Sequence, residues 1–123
     1  MTLHFTYEDY VEGLAIITGF IGFNKDSLNI EYQISDNVVG FIKSDIKEVN
    51  IPFNSVENLE LQKKLFSTKL IVSLSSLKGI GKLPFLKDNT LTFKIKKKHR
   101  DKAKEFEVNC NIEISTYKLE QLD

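Results

Sequence analysis

Seven cationic side chains lie within residues 94–104 of this chain. They are Lys94, Lys96, Lys97, Lys98, Arg100, Lys102 and Lys104. A cluster of this kind attracts anions, such as a lipid headgroup, a nucleic-acid phosphate or an acidic protein surface. Lysine acts as a point charge, whereas bidentate recognition of phosphate depends on arginine, and the chain has one arginine against sixteen lysines. The competing interpretation is a solvated lysine face that protects a sheet edge from aggregation.

Other residues that could do chemistry lack the companions that they would need. The stretch Lys78 to Lys82 contains two glycines, but it does not have the spacing of a phosphate-binding loop and is interpreted as a connection. Cys110 is the single cysteine, so it cannot form an internal disulfide, and we expect it to be a small core residue. His4 and His99 have no nucleophile pattern near them. The sequence therefore predicts no catalytic residues, no metal site and no cofactor.

Composition places the chain among single-domain globular proteins. It has 123 residues, of which 41% are hydrophobic and 28% charged, and we expect one domain over residues 1–123. The N-terminus lacks the features of a signal peptide, and the longest apolar run, Gly13 to Phe23, is too short to span a bilayer. With one unpaired cysteine, this predicts a soluble, cytoplasmic protein.

The net charge of zero hides an asymmetry between the two halves of the chain. Residues 1–61 carry 10 acidic and 3 basic side chains, whereas residues 62–123 carry 7 acidic and 14 basic ones. An anionic partner would therefore meet the second half of the chain. The alternative is that folding mixes the two halves into a neutral surface, because acidic and basic strands often neighbour each other in a sheet.

Periodicity predicts that short strands position these groups. The region around Thr6 to Glu12 is interpreted as an irregular lead-in or a single helical turn, because Thr6 and Asp9 have the spacing of a capping box. Gly13 to Phe23 is a predicted strand, and Leu28 to Ser35 alternates apolar and polar residues in the clearest strand of the chain. A turn at Asn24 to Ser27 joins these two strands into a hairpin.

Further strands are predicted between residue 38 and residue 96. Four apolar or alternating segments indicate them, and a long loop over Ser76 to Asp88 leads to a fifth. The five segments are Val38 to Ile42, Lys47 to Phe53, Val56 to Gln62, Leu70 to Ser75 and Thr90 to Lys96. The lysines at 94, 96 and 98 would then share the outer face of the last strand.

The C-terminal segment that follows Lys98 is compatible with both the helical and the strand period. As a helix, it aligns Ala103, Phe106, Cys110, Ile114 and Tyr117 in one apolar stripe. As a strand, its residues 106–114 alternate between apolar and polar without exception. The helix is favoured because about 25 residues pass without a glycine or proline. It would leave Val108, Ile112 and Leu119 on its far side.

The order of these elements, about seven antiparallel strands followed by one amphipathic helix, resembles small bacterial domains of the pleckstrin-homology-like (PH-like) superfold. The resemblance covers roughly residues 13–117 and is carried by six short stretches. They are Gly19 to Phe23, Leu28 to Tyr32, Ile51 to Val56, Leu83-Pro84, Leu91 to Lys96 and Arg100 to Ala103. The resemblance implies a mainly β fold, a bent sandwich or barrel capped by the C-terminal helix. It also implies phosphoinositide binding on the first hairpin, but this chain offers only Lys25 there, so no lipid-binding residue is carried over.

These observations lead to three hypotheses of function. The first is a non-enzymatic interaction module that binds a protein partner or docks weakly on an anionic membrane through the cations of residues 94–104. Nucleic acid is disfavoured as the partner, because arginine is scarce and no row of aromatic residues accompanies the lysines. The alternative is a self-assembling structural protein, a homo-oligomer with Val108, Ile112 and Leu119 as the subunit seam. An enzyme with a site assembled from distant strands ranks third.

Overall fold

The computed structural model describes residues 1–36 and 43–122 of the protein. Within these residues the chain forms eight strands followed by one long helix. The strands are β1 (Thr2–Tyr10), β2 (Ala15–Phe23), β3 (Ser27–Asp36), β4 (Lys47–Pro52), β5 (Val56–Lys63), β6 (Thr68–Leu74), β7 (Leu86–Lys87) and β8 (Thr90–Ile95), and the helix is α1 (Arg100–Glu120). The prediction of a mainly β fold with one C-terminal helix is confirmed. The predicted strand Val38 to Ile42 lies outside the described residues.

The described strands form one antiparallel sheet that does not close on itself. Its order is β4-β3-β2-β1-β8-β6-β5, with the short β7 paired to β8. The two halves of the sheet meet between β1 and β8, where Thr6 pairs with Lys94. This arrangement places the acidic N-terminal half of the chain beside the basic C-terminal half, and it leaves β4 and β5 at the two ends of the sheet.

The first strand corrects a prediction. The chain does not make a helical turn at Thr6 but runs extended from Thr2 to Tyr10, and it pairs with β2 from Thr2 opposite Gly22 onward. Leu3 and Phe5 are fully buried on the core face of this strand, so period-two burial outweighs the local capping signal. The single-turn 3-10 helix, Val11–Gly13, comes only after this strand.

The hairpin of β2 and β3 forms as predicted, with its turn held by a side chain. Asn24 Oδ1 accepts hydrogen bonds from the backbone N–H groups of Asp26 and Ser27, each at 2.9 Å. Leu28, Ile30 and Tyr32 of β3 then face the core, as the alternation requires.

The long loop between β6 and β7 is anchored in the core. Ile80, Leu83 and Phe85 are buried, so this connection packs against the core. The Phe85 ring packs edge-on against Phe5 at 5.7 Å and against Tyr32 at 5.2 Å, measured between ring centroids. Aromatic rings at these separations add to the stability that burial provides.

The C-terminal segment is helical, as favoured from the sequence. Ala103, Phe106, Cys110 and Ile114 are buried along one face of α1. The Phe106 ring meets the Phe23 ring edge-on at 5.2 Å, so the helix is attached to the first half of the sheet as well as to the second.

Polar side chains of α1 also occupy the outer edge of β5. Asn111 bonds to Leu59 twice: its Oδ1 accepts from the Leu59 N–H at 2.9 Å, and its Nδ2 donates to the Leu59 carbonyl at 2.9 Å. Glu107 accepts from the Leu61 N–H, and Lys118 donates to the Val56 carbonyl. The helix therefore satisfies backbone groups that would otherwise be exposed on an edge strand.

A basic corner at the end of the sheet

The cations of residues 94–104 lie where the last strand passes into the helix. β8 ends at Ile95, a 3-10 turn covers Lys97–His99, and α1 begins at Arg100. Of the three lysines predicted to share a strand face, only Lys94 lies in the strand, because the chain leaves the sheet immediately after Ile95. All six lysines of the stretch are exposed and Arg100 is half-buried.

Arg100 has a structural role at this corner. Its Nε donates to Thr68 Oγ1 at 2.6 Å and its Nη2 donates to the Lys64 carbonyl at 3.0 Å. Thr68 is buried, and Lys64 lies in the turn between β5 and β6. The guanidinium therefore ties the start of α1 to that turn, using the planar set of donors that lysine lacks.

Two lysines of the stretch are neutralised locally. Lys94 Nζ lies 3.2 Å from Glu8 Oε2, and Lys104 Nζ lies 2.7 Å from Glu107 Oε1. Lys94 also stands opposite Lys69 across the pairing of β6 and β8, and such a like-charge pair is unfavourable unless an acid such as Glu8 compensates it.

The remaining four lysines, Lys96, Lys97, Lys98 and Lys102, make no ion pair with any described residue. Asp101 shares the first turn of α1 with Lys102, and its side chain is also exposed. With one acid among these cations, the cluster presents net positive charge to solvent.

The turn between β5 and β6 brings further cations to the same place. Lys63 and Lys64 lie at the start of this turn and Lys69 shortly after it, beside the end of β8. We call these three lysines, with the seven cations of residues 94–104, the basic corner. Lys63 and Lys64 are exposed, and Lys69 is half-buried.

The same turn carries two apolar side chains that the sequence interpretation missed. Leu65 is 79% exposed and Phe66 is 93% exposed. They share the lining of a surface cleft of about 190 Å³ with Lys94, Lys96 and other residues of the corner. The signal in the sequence was an apolar pair between Lys64 and Ser67, outside any strand pattern.

The two histidines, distant in sequence, lie together at the edge of the basic corner. The ring centroids of His4 and His99 are 6.2 Å apart, and His4 stacks edge-on against Phe20 at 5.3 Å. Partial burial of His4, followed by the positive charges of Lys96, His99 and Lys98, holds its pKa below the usual 6.5.

The helix residues predicted to form a subunit seam are exposed. Val108, Ile112 and Leu119 expose 44%, 56% and 66% of their surface, on the side of α1 that faces away from the buried stripe. The seam remains a prediction.

Apart from the pair His4 and His99, the groups weighed for catalysis do not come together among the described residues. No set of three or more His, Cys, Asp or Glu side chains there is placed to hold a metal ion. A surface cleft of about 430 Å³ is lined by residues that include Phe20, Asn50 and the carboxylates of Glu31 and Glu48. Cys110 is fully buried, as predicted, and burial raises its pKa to about 12, so it is a poor nucleophile.

The glycine-containing loop is not a phosphate-binding turn. Gly79 and Gly81 have φ angles of +78° and +73°, and the loop runs from β6 to β7 without entering a helix. Ile80 between the two glycines is buried. The segment is therefore a connection, as interpreted from the sequence.

Two further findings bear on the class of protein. None of the helices in the described ranges has both the length and the apolar composition that a membrane span requires. Compared with protein-family models, with curated proteins and with solved structures, the chain matches none.

Proposed function

We propose that the protein is a non-enzymatic interaction module that docks reversibly on an anionic membrane surface through the basic corner. The observation that carries this proposal is a group of four exposed lysines that make no ion pair with any described residue, beside further cations from the turn between β5 and β6. The four are Lys96, Lys97, Lys98 and Lys102. A lysine close to an anionic membrane contributes about 1 kcal/mol, so four such lysines support weak, salt-sensitive binding.

The type of cation favours a surface over a single bound phosphate group. Arg100, the one arginine, already donates to Thr68 and to the Lys64 carbonyl. The remaining cations are lysines, which attract negative charge without fixing its geometry. A diffuse array of anionic headgroups matches that property better than one polyphosphate ligand. An acidic protein partner is the competing occupant.

The order of elements supports the proposed resemblance to PH-like domains. The observed strands run as antiparallel neighbours and α1 closes the chain against them. The phosphoinositide pattern is not met on the observed first hairpin either, since the turn Val11–Gly13 between β1 and β2 contains Glu12 and no cation. A crystal structure that superposes on PH-like domains over both halves of the sheet and the helix tests this resemblance.

The buried, free thiol of Cys110 agrees with a cytoplasmic location.

Cosedimentation with vesicles tests the docking proposal. Wild type is mixed with phosphatidylcholine vesicles containing 0 or about 30% phosphatidylserine, at low and at high salt. We expect binding only with the anionic lipid and a marked loss at high salt, because salt screens exposed charges. Replacing the four lysines 96, 97, 98 and 102 by glutamine removes up to about 4 kcal/mol of attraction and reduces binding below detection.

A matched control removes the same number of charges elsewhere. Lys25, Lys78, Lys82 and Lys87 are exposed and lie outside the basic corner. Their combined replacement by glutamine leaves binding within a few-fold of wild type. Equal loss in the two quadruple variants would show that net charge, and not the corner, drives binding, and indifference of wild type to anionic lipid would eliminate the proposal.

The alternative function, self-assembly, is favoured by the exposure of Val108, Ile112 and Leu119 on one side of α1. Analytical ultracentrifugation tests it. A monomer at high micromolar concentration would remove it, and a dimer that Ile112→Lys dissociates would support it.

A further inference from the structure

The turn between β5 and β6 presents an unusual apolar pair to solvent. Phe66 is the most exposed large apolar side chain of the described residues, and Leu65 stands next to it. Single exposed apolar residues are common on protein surfaces and need no explanation. Leu65 and Phe66, however, are adjacent at the tip of the hairpin of β5 and β6, with lysines on both sides. Together they expose a continuous apolar surface, which a single exposed residue does not.

The turn that carries the pair is held in place. The Lys64 N–H donates to the Ser67 carbonyl at 2.7 Å across the turn, and Arg100 donates to the Lys64 carbonyl from the start of α1. Because the backbone is fixed by these bonds, contact with a partner orders little besides the side chains of Leu65 and Phe66. The entropic cost of binding at this tip is correspondingly small.

The shape and the charge of the tip select its occupant. The cleft beside it holds about 190 Å³, below the range of about 300–1,000 Å³ typical of small-molecule sites. A second copy of this chain would bring one basic corner against another, and like charges would repel. A projecting Leu-Phe pair within a ring of lysines has the composition of an interfacial membrane anchor, in which apolar side chains enter the headgroup region while cations attract anionic lipid.

We propose that Leu65 and Phe66 insert into the interface of an anionic lipid bilayer, with the basic corner lying flat on the headgroups around them. This inference rests on the proposed function. It adds that the protein penetrates the headgroup region, and that Leu65 and Phe66 are the residues that do so. Attraction by lysines alone would leave the tip in water, whereas insertion removes the two side chains from water.

A single tryptophan reports insertion directly, because the chain contains no tryptophan of its own. In Phe66→Trp we expect a blue shift of emission on adding vesicles with about 30% phosphatidylserine, and quenching when the lipid carries brominated acyl chains. The matched control is Leu119→Trp, an exposed apolar site 19 residues along α1 from Arg100, about 28 Å at 1.5 Å per residue. Its emission stays unchanged by the vesicles.

Removing the pair measures what insertion contributes. The double variant Leu65→Ser with Phe66→Ser should retain the wild-type melting temperature, because both side chains are exposed. We expect its affinity for the anionic vesicles to fall roughly thirtyfold, or about 2 kcal/mol. The residual binding stays sensitive to salt.

The outcomes separate this inference from the proposed function. An emission shift in the Phe66→Trp variant together with the thirtyfold loss supports insertion. Salt-sensitive binding that the double serine variant leaves unchanged, without a shift at position 66, overturns insertion and leaves electrostatic docking in place. No binding of wild type to anionic vesicles overturns both, and capture of an acidic protein in that case would identify the competing occupant.

Discussion

Removing the side chain of Asn111 should destabilise the protein out of proportion to its size. Asn111→Ala deletes both hydrogen bonds to Leu59 and leaves a backbone N–H and a carbonyl of a residue that is only 3% exposed without those partners. Each unsatisfied buried group costs about 1–3 kcal/mol. Alanine returns about 0.5 kcal/mol through its higher helix propensity. With two such groups, we therefore expect a net loss of about 1.5–5.5 kcal/mol in the free energy of unfolding.

Urea denaturation and thermal melting measure this loss. For a chain of 123 residues, an unfolding entropy of about 2.1 cal/mol/K per residue converts about 1.5–5.5 kcal/mol into a fall of about 6–21 °C in melting temperature. Asn109→Ala is the matched control, because Asn109 is exposed on the same helix and its side chain makes no hydrogen bond with any described residue. It should gain about 0.5 kcal/mol from propensity alone. If the two variants melt within about 2 °C of each other, the account of α1 as a cap on the β5 edge is wrong.

Three further predictions follow from buried or crowded groups. The folded-state pKa of His4 is lowered, so its contribution to stability is complete above pH 6.5 and is lost as pH falls through the folded pKa. His4→Gln should therefore flatten the dependence of melting temperature on pH between about pH 7 and pH 5.5. An unchanged slope would contradict this. Cys110, with its pKa raised to about 12, should react with maleimide at about pH 8 only after unfolding in urea, and equal rates in native protein would show that it is not buried. Gly19→Ala should prevent stable folding, because its Cβ would overlap the Glu31 carbonyl oxygen. Gly22→Ala should lower the melting temperature less, because the atoms nearest to its Cβ are 3.3 Å away. The reverse order of the two melting temperatures would refute the argument.

Local periodicity in the sequence was sufficient to predict the strands and the helix that bury one face. The alternation in β3 and the stripe from Ala103 to Ile114 both appear in the structure, because burial on one side of a strand or a helix imposes its own period. The first strand was missed for a related reason. Leu3 and Phe5 alternate as a strand requires, whereas the prediction for this region was based on the capping-box spacing of Thr6 and Asp9.

Long-range polar contacts could not be read from periodicity. Asn111 and Leu59 are 52 residues apart, and nothing in the local sequence around Asn111 indicates that its amide meets a strand edge. The apolar pair Leu65 and Phe66 gives no periodic signal, because an isolated pair in a turn does not alternate with polar residues. The basic corner was predicted in its C-terminal part, while the contribution of the turn between β5 and β6 depends on the pairing of β6 with β8.

The cap that α1 places on β5 has a consequence for biosynthesis. A nascent chain that has emerged only as far as β8 already holds every strand of the described sheet, yet Glu107, Asn111 and Lys118 are still inside the ribosome. During that interval the Leu59 and Leu61 amides are open to pairing with any neighbouring chain. Protection of this strand therefore waits until α1 has left the ribosome, and the yield of folded protein in the cell should depend on how quickly residues 100–120 follow the sheet.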